Sequence, residues 1–209
     1  MEHPSPSELI HCWNCNGTVS SLPLCHGCGK LQDLPASWSA FAVLGEPLGL
    51  AFSVESLRLK YVELSKKIHP DRFANSSPRE ALYASRWSRT VNQAYTQLKE
   101  RSSRAEALLK CHGKHSLLKK GSVPVELAED YFEFQDKVSD GVKDFSSFLQ
   151  SLKNHRDEIE EKWATLSQLK TLTAKELESL ASVLTFQRYL DSMENDIKRR
   201  TETRPEVER

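Results

Sequence analysis

Four of the five cysteines lie near the start of the chain in two C-x-x-C pairs. The first pair is Cys12 and Cys15, the second is Cys25 and Cys28, and nine residues separate the pairs. Two intervening residues let one turn direct both thiolates of a pair at the same ion, and four thiolates suit the tetrahedral geometry of zinc. The sequence therefore predicts one structural Zn²⁺ ion, bound by these cysteines in a small module over residues 11–33.

Two other interpretations of the same cysteines stay open at this point. Redox-active C-x-x-C pairs normally sit at a strand–helix junction of a larger fold, and residues 1–30 show no such pattern. A rubredoxin-type iron site uses the same four thiolates and would make the protein an electron carrier. A disulfide framework is disfavoured, because the cysteine count is odd and the first residues lack the basic and apolar segments of a secretory signal.

The tripeptide His69-Pro70-Asp71 follows a basic helical pattern, and its residue types could bind a charged partner. Its basic neighbours are Lys60, Lys66, Lys67 and Arg72. Proline narrows the range of loop shapes, an exposed aspartate can bind an arginine of a partner, and the lysines offer a positive surface to an acidic partner. No serine, cysteine or carboxylate has the spacing that would make His69 a catalytic base. By residue chemistry alone, a solvated helix face beside a turn-forming proline is the favoured interpretation and a binding loop is the alternative. Neither interpretation predicts an enzyme.

Apolar spacing predicts the helices that position this loop. Ser53 is an N-cap candidate, and the stripe that follows it comprises Leu57, Tyr61, Leu64 and Ile68. A second helix is predicted from Ser77-Pro78, a serine cap with proline at the first helical position. The apolar residues of that helix are Ala84, Trp87, Val91, Ala94, Tyr95 and Leu98. Shorter helical segments are predicted over 38–44 and 103–109, and the polar residues 114–123 predict a linker.

Three long helical patterns follow the linker and predict an antiparallel bundle. They run from about Pro124 to Ser139, from about Val142 to Leu169, and from Thr173 to about Arg200. The fold class is therefore all-α, with a helical hairpin domain and a three-helix bundle after a small zinc module. The predicted parts are a tail (1–10), the zinc module (11–33), the hairpin domain (37–112), the bundle (123–201) and a charged tail (202–209).

Charge balance narrows the classes of partner. The 209 residues include 29 Lys and Arg and 29 Asp and Glu, so the formal net charge is zero. This disfavours nucleic acid and anionic membrane surfaces as partners. No apolar run approaches the roughly 20 residues that span a bilayer. Protein partners are therefore expected, and weak self-association is compatible with the sequence.

The loop and its helices resemble a J-domain over about residues 38–110. Residues 65–73 (SKKIHPDRF) are similar to the signature of that family, and residues 91–98 (VNQAYTQL) to its third helix. Ser103–Leu109, followed by His112-Gly113, resembles the segment that closes the J-domain in the HscB family of iron–sulfur cluster co-chaperones. The bundle resembles the second domain of that family, and the four-cysteine module resembles its animal mitochondrial form. Arg72 stands where the J-domain family commonly has lysine, which keeps the charge.

This resemblance implies a co-chaperone with two protein partners. The J-domain would stimulate the ATPase of a DnaK-type chaperone through the loop and its basic neighbours, and the bundle would hold an iron–sulfur cluster scaffold protein. The implied location is the mitochondrial matrix, with the cytoplasm as the alternative. A general J-protein with another client, or a rubredoxin-like electron carrier fused to a helical domain, are the competing functions.

The resemblance also implies a scaffold-binding surface on the bundle. Its residues would be Ala128, Glu129, Phe132, Glu133, Asp136, Arg188 and Tyr189, although the family usually has larger apolar residues at the first two positions. The spacing adds its own observation, because Phe132 and Tyr189 lie one position, about 100°, off the core stripes of their helices. We expect these rings at the edge of the core or outside it; the alternative is that they widen the core face.

Overall fold

The computed structural model describes residues 10–19, 22–119, 125–141 and 146–202. The chain divides into two compact units, Met1–Gly113 and Lys114–Arg209. The secondary structure of the described residues is β1 (Ile10–His11), β2 (Thr18–Val19), α1 (Ala40–Leu44), α2 (Val54–Ile68), α3 (Pro78–Lys99), α4 (Arg101–Cys111), α5 (Val125–Ser139), α6 (Ser146–Ser167) and α7 (Ala174–Glu202). The predicted all-α fold with a small cysteine module is confirmed. Among the described helices, none is both long and apolar enough to cross a bilayer.

Helix α3 forms the centre of the first unit and packs against α1, α2 and α4. Its buried face carries Ala84, Trp87, Val91, Ala94 and Leu98. The predicted stripe on α2 is buried only at its ends, Leu57 and Ile68. Between them, Tyr61 and Leu64 are half-buried, and the Tyr61 ring stacks on Tyr95 at 4.3 Å between ring centroids. The middle of α2 therefore lies at the edge of this core.

Serine caps begin α1, α2 and α3 of the first unit. Ser53 accepts a hydrogen bond from the N–H of Ser56, and Ser39 accepts one from Ala42. Helix α2 ends at Ile68 because Pro70 disfavours helical backbone at His69, whose ψ is 129°. Helix α1 ends at Gly45, which has the left-handed φ of 62° that glycine adopts without a Cβ clash.

Arg104 is a buried cation that joins three parts of the first unit. Its guanidinium donates to the carbonyl oxygens of Leu98, Leu50 and Lys99 at 2.8, 3.2 and 3.4 Å. It also lies 4.2 Å from the ring centroid of Phe52. Helix α4 begins at Arg101, before the predicted Ser103. Arg104 thus fixes the end of α3 and the loop before α2 to the first turn of α4.

The second unit buries one stripe from each of its three helices. The buried residues are Leu127, Phe134, Phe148, Leu152, Ile159, Trp163, Leu166, Leu177, Leu180, Ala181, Val183, Leu184, Phe186, Leu190, Met193 and Ile197. The Tyr131 hydroxyl donates to Asp196 at 2.7 Å and so joins α5 to α7. The predicted linker is partly wrong, because residues 115–119 form a 3₁₀ helix that packs on α7. Pro124 and residues 142–145, predicted as helix, lie outside the described residues.

Replacing Arg104 by methionine tests its role in holding the first unit together. We expect the free energy of unfolding of this unit to fall by about 3 kcal/mol, because three carbonyl oxygens, two of them buried, each lose a donor worth roughly 1 kcal/mol. Urea unfolding followed by tryptophan fluorescence measures this, since Trp13, Trp38 and Trp87 lie in this unit. Arg58→Met removes only an exposed pair with Glu55 and should cost less than about 0.5 kcal/mol. Equal effects of the two substitutions would contradict this role.

Candidate functional site

The four cysteines of the N-terminal module converge on one point. Their Sγ atoms all lie within 4.8 Å of one another, with Cys12 to Cys28 at 3.6 Å and Cys15 to Cys25 at 3.8 Å. A tetrahedral ion with metal–sulfur bonds of about 2.3 Å requires sulfur–sulfur distances of roughly 3.8 Å. The thiols therefore fit a tetrahedral metal centre, as their spacing predicted.

Two similar turns bring the thiols together. In the first turn, the N–H of Cys12 donates to the carbonyl oxygen of Gly17 at 2.8 Å. The N–H of Asn16 donates to the carbonyl oxygen of Cys12 at 2.9 Å. In the second, Cys25 donates to Lys30 at 2.9 Å, and Gly29 donates back to Cys25 at 2.8 Å. Asn16 and Gly29 have left-handed φ values of 57° and 71°, which reverse the chain after each C-x-x-C pair. The antiparallel pairing of β1 and β2 closes the first turn.

The protons of the thiols are unequally held. Burial raises the pKa of the Cys12 thiol. Hydrogen bonds from the backbone N–H groups of Cys15 and Asn14 and from the neighbouring thiols have the larger, opposite effect and lower the pKa to about 6. At Cys15 the N–H of Gly17 lowers the pKa, yet the thiols of Cys28 and Cys12 together with burial raise it to about 11. One thiolate thus forms readily and discourages the next. A divalent cation would compensate this repulsion and favour four thiolates.

Cys25→Ser tests the metal centre. We expect the full chain to bind one equivalent of zinc, and the variant to lose most of it, because a buried ligand of the tetrahedral set is removed. Most of the helical circular dichroism should survive, since both helical units have apolar cores of their own. The measurement is elemental analysis after dialysis, with Cys111→Ser as the control that keeps its zinc. A coloured protein containing iron, or full zinc binding by Cys25→Ser, would contradict the prediction.

His69, Pro70, Asp71 and Arg72 form an ordered turn of 3₁₀ helix over Pro70–Phe73. The N–H of Asp71 donates to Nδ1 of His69 at 3.3 Å, and the Arg72 guanidinium donates to the carbonyl oxygen of Lys66 at 3.1 Å. Phe73 is buried below the turn. The Asp71 side chain remains 90% exposed, so the turn presents a carboxylate to solvent.

The three predicted lysines of α2 have different surroundings. Lys66 and Lys67 are exposed, and Lys67 pairs with Glu63 at 2.6 Å. Lys60 instead donates to the carbonyl oxygen of Gly45 at 2.8 Å and pairs with the buried Glu46 at 3.1 Å. Lys60 therefore has an intramolecular role, which the charge pattern alone did not indicate. Sequence reasoning also missed Leu59, an exposed apolar residue that lies seven positions before Lys66 and so on the same side of α2.

Phe132 and Tyr189 are exposed at 64% and 40%, so neither ring widens the core. The predicted neighbours Glu129, Glu133, Asp136 and Arg188 are also exposed, and Ala128 is half-buried. Glu133 pairs with Lys137 at 2.7 Å. Val125, 67% exposed, was missed by sequence reasoning, although its spacing to Phe132 of seven residues puts both on one side of α5. This acidic and apolar surface lies in the second unit, and the cysteine cluster and the loop lie in the first.

Comparison with known proteins finds relatives that are named HscB co-chaperones. No model of a protein family matches the chain. The Arabidopsis thaliana protein named iron–sulfur cluster co-chaperone protein HscB homolog is 28% identical over 153 residues, which is 73% of this chain and 60% of that protein. Co-chaperone protein HscB of Proteus mirabilis is 40% identical over 73 residues, 35% of this chain and 42% of that protein. The matched segments thus span less than two thirds of either relative.

Solved structures agree with these relatives in fold. The crystal structure of human co-chaperone protein HscB superposes with a TM-score of 0.66 at 22% identity, over 92% of this chain and 98% of that one. Chaperone HscB from Vibrio cholerae gives a TM-score of 0.51 at 22% identity, over 79% of this chain and 98% of that one. The resemblance to HscB co-chaperones that the motifs indicated is therefore confirmed, in sequence and in fold.

Proposed function

We propose that this protein is a co-chaperone of iron–sulfur cluster biogenesis. Its first unit stimulates the ATPase of a DnaK-type chaperone, and its second unit holds the scaffold protein on which clusters are assembled. The main support is the exposed His69-Pro70-Asp71 turn at the end of a basic helix, in a fold similar to that of HscB. The protein itself has no enzymatic turnover, and its place of action is the mitochondrial matrix, which cell fractionation would test.

The chaperone surface consists of the ordered turn and the exposed residues of α2 before it. The exposed carboxylate of Asp71 can accept a bidentate pair of hydrogen bonds from an arginine of the partner. Lys66 and Lys67 add positive charge that accelerates encounter with an acidic surface, and Leu59 adds apolar area beside them. Lys60 supports this surface indirectly, because its ion pair with Glu46 fixes α2 to the loop after α1.

The metal centre has a structural part in this function. Zinc is the metal we propose, because closed sites with four cysteine ligands are typical of structural zinc. When bound, the ion supplies a cross-link between the two turns of the module, whose own apolar residues are few. The cysteines hold the ion, and no electron transfer is required of them.

His69→Gln tests the loop. We expect stimulation of the chaperone ATPase to be abolished, because the imidazole accepts the N–H of Asp71 and so orients the adjacent carboxylate. Stability should change by no more than about 0.5 kcal/mol, as is usual for exposed positions. The measurement is ATP hydrolysis by the purified chaperone with and without the protein. His115→Gln, an exposed histidine of the second unit, is the matched control; normal stimulation by His69→Gln would refute the role of this loop.

The scaffold surface is the exposed side of α5 together with Tyr189 on α7. Exposed aromatic rings beside charged groups are typical anchors of protein interfaces. Tyr131 fixes α5 to Asp196, and Tyr189 lies two turns before Asp196 on the same side of α7. Tyr189 therefore lies on the side of α7 that Tyr131 contacts, and Phe132 follows Tyr131 on α5. Acidic residues around Phe132 favour a scaffold protein with a basic surface.

The double substitution of Phe132 and Tyr189 by alanine tests this surface. We expect the affinity for the scaffold protein to fall at least tenfold, about 1.4 kcal/mol, because two exposed rings are removed from the contact. Helical content and ATPase stimulation should not change. Leu149→Ala, which truncates an exposed leucine of α6, is the control and should bind normally. Calorimetry with purified scaffold measures the affinity; normal binding by the double variant would mean that the interface lies elsewhere or that the client differs.

A further inference from the structure

The cysteine module packs against one side of the first half of α3. The contacting residues of α3 are Arg79, Glu80, Tyr83, Arg86 and Trp87, which share one side of the helix. The Arg79 guanidinium and the Tyr83 ring lie 4.9 and 6.4 Å from the ring centroid of Trp13. Arg86 pairs with Asp33 at 3.0 Å. Both turns of the module therefore meet the same helix.

The segment that follows Cys28 is the bridge between the metal centre and this helix. Gln32 presents its carbonyl oxygen to the indole N–H of Trp87 at 2.8 Å, and Leu31 presents its own to the indole N–H of Trp13 at 2.7 Å. The Gln32 side chain donates to the carbonyl oxygen of Lys30 at 2.7 Å and accepts the N–H of Trp13 at 3.3 Å. Leu31 and Gln32 are buried, so this segment is part of the core.

Glu80 receives hydrogen bonds from both sides of this contact. From the module, Lys30 donates to its carboxylate at 2.9 Å and the N–H of Leu31 donates at 3.4 Å. From its own helix, the Ser77 hydroxyl donates at 3.1 Å, while the N–H of Glu80 donates back to Ser77 at 3.3 Å. The side chain is only 4% exposed. One carboxylate thus completes the N-terminal cap of α3 and the attachment of the module.

Burial raises the pKa of the Glu80 carboxyl, but the bonds from Lys30, Ser77 and Leu31 outweigh it and hold the pKa below its ordinary value. Glu80 is therefore ionised at neutral pH while the module is folded. Without metal the module is expected to unfold, because small cysteine modules depend on the ion for their folding. The Glu80 carboxylate would then lose the two donors that the module supplies, Lys30 and the N–H of Leu31, and water would take their place. Mobile water does not hold the side chain in the position in which it accepts from Ser77.

We propose that Glu80 is the positioning residue through which metal binding at the four cysteines orders the first half of α3. Metal binding folds the module, and the folded module donates hydrogen bonds to the Glu80 carboxylate. The carboxylate held in this way keeps its bond with Ser77 in the cap of the helix. Such coupling is reciprocal, so whatever metal adds to the order of α3, α3 adds to the affinity for metal. Because α3 begins at Pro78, shortly after the Pro70–Phe73 turn, metal loading also steadies one end of the loop. The coupling itself does not depend on the proposed function.

Hydrogen exchange of the full chain, with zinc and after chelation, tests this proposal. In the wild type, chelation should speed exchange at the amides of residues 81–88 at least tenfold and leave those of α7 unchanged. In Glu80→Gln, which keeps the size of the side chain but not its charge, this effect of zinc should fall at least fivefold. The zinc dissociation constant, measured by competition with a chromogenic chelator, should rise by a similar factor because the coupling is reciprocal.

A matched control separates this coupling from the loss of a helix cap. Glu176 forms a similar cap with Thr173 at the start of α7, in the other unit, and Glu176→Gln should leave zinc affinity and α3 exchange unchanged. Lys30→Met removes the charge from the module side and leaves the cap intact, so it should reproduce part of the Glu80→Gln effect even where that variant folds poorly. If chelation leaves α3 exchange unchanged, or both variants bind zinc as the wild type does, the proposal is wrong.

Discussion

The burial of the Trp87 indole is the constraint on which the first unit depends. The ring lies in the middle of the α3 core and meets Trp38 edge-on at 6.2 Å between centroids. A buried indole N–H needs an acceptor, and here the acceptor is the backbone of Gln32 in the cysteine module. The helices of the first unit therefore share this part of their core with a segment from outside the hairpin. This shared core explains why the module and the helices form one compact unit rather than two.

The two units present different kinds of exposed surface. In the first, a short turn presents one carboxylate beside a basic helix. In the second, exposed rings stand among acidic residues on helices held together by the bond between Tyr131 and Asp196. One surface suits an acidic partner with an arginine, and the other suits a basic partner with apolar pockets. In the proposed function, each surface would therefore repel the partner proposed for the other.

Local sequence signals predicted the elements and the metal ligands, because spacing and caps act over a few residues. The cysteine pairs, the serine caps and the exposed Phe132 follow from neighbours along the chain. Long-range polar pairs could not be predicted in this way: Lys30 meets Glu80, and Arg104 meets Leu50, across about fifty residues. Pairings of this kind depend on how the helices pack, and a charge in the sequence does not indicate its partner. For the same reason the pattern of lysines on α2 did not reveal that Lys60 is engaged internally.

The turn over Pro70–Phe73 is held in shape by contacts within the chain, and this lowers the entropy cost of binding at its surface. Its shape is set by the proline ring, by the burial of Phe73 and by the bond from Arg72 to Lys66. A partner that docks here does not have to freeze a mobile loop, which would otherwise cost about 0.5–1.5 kcal/mol for each side chain immobilised. In the proposed function, buried Phe73 would contribute to recognition without touching the partner, because it holds the turn in the shape that the partner meets.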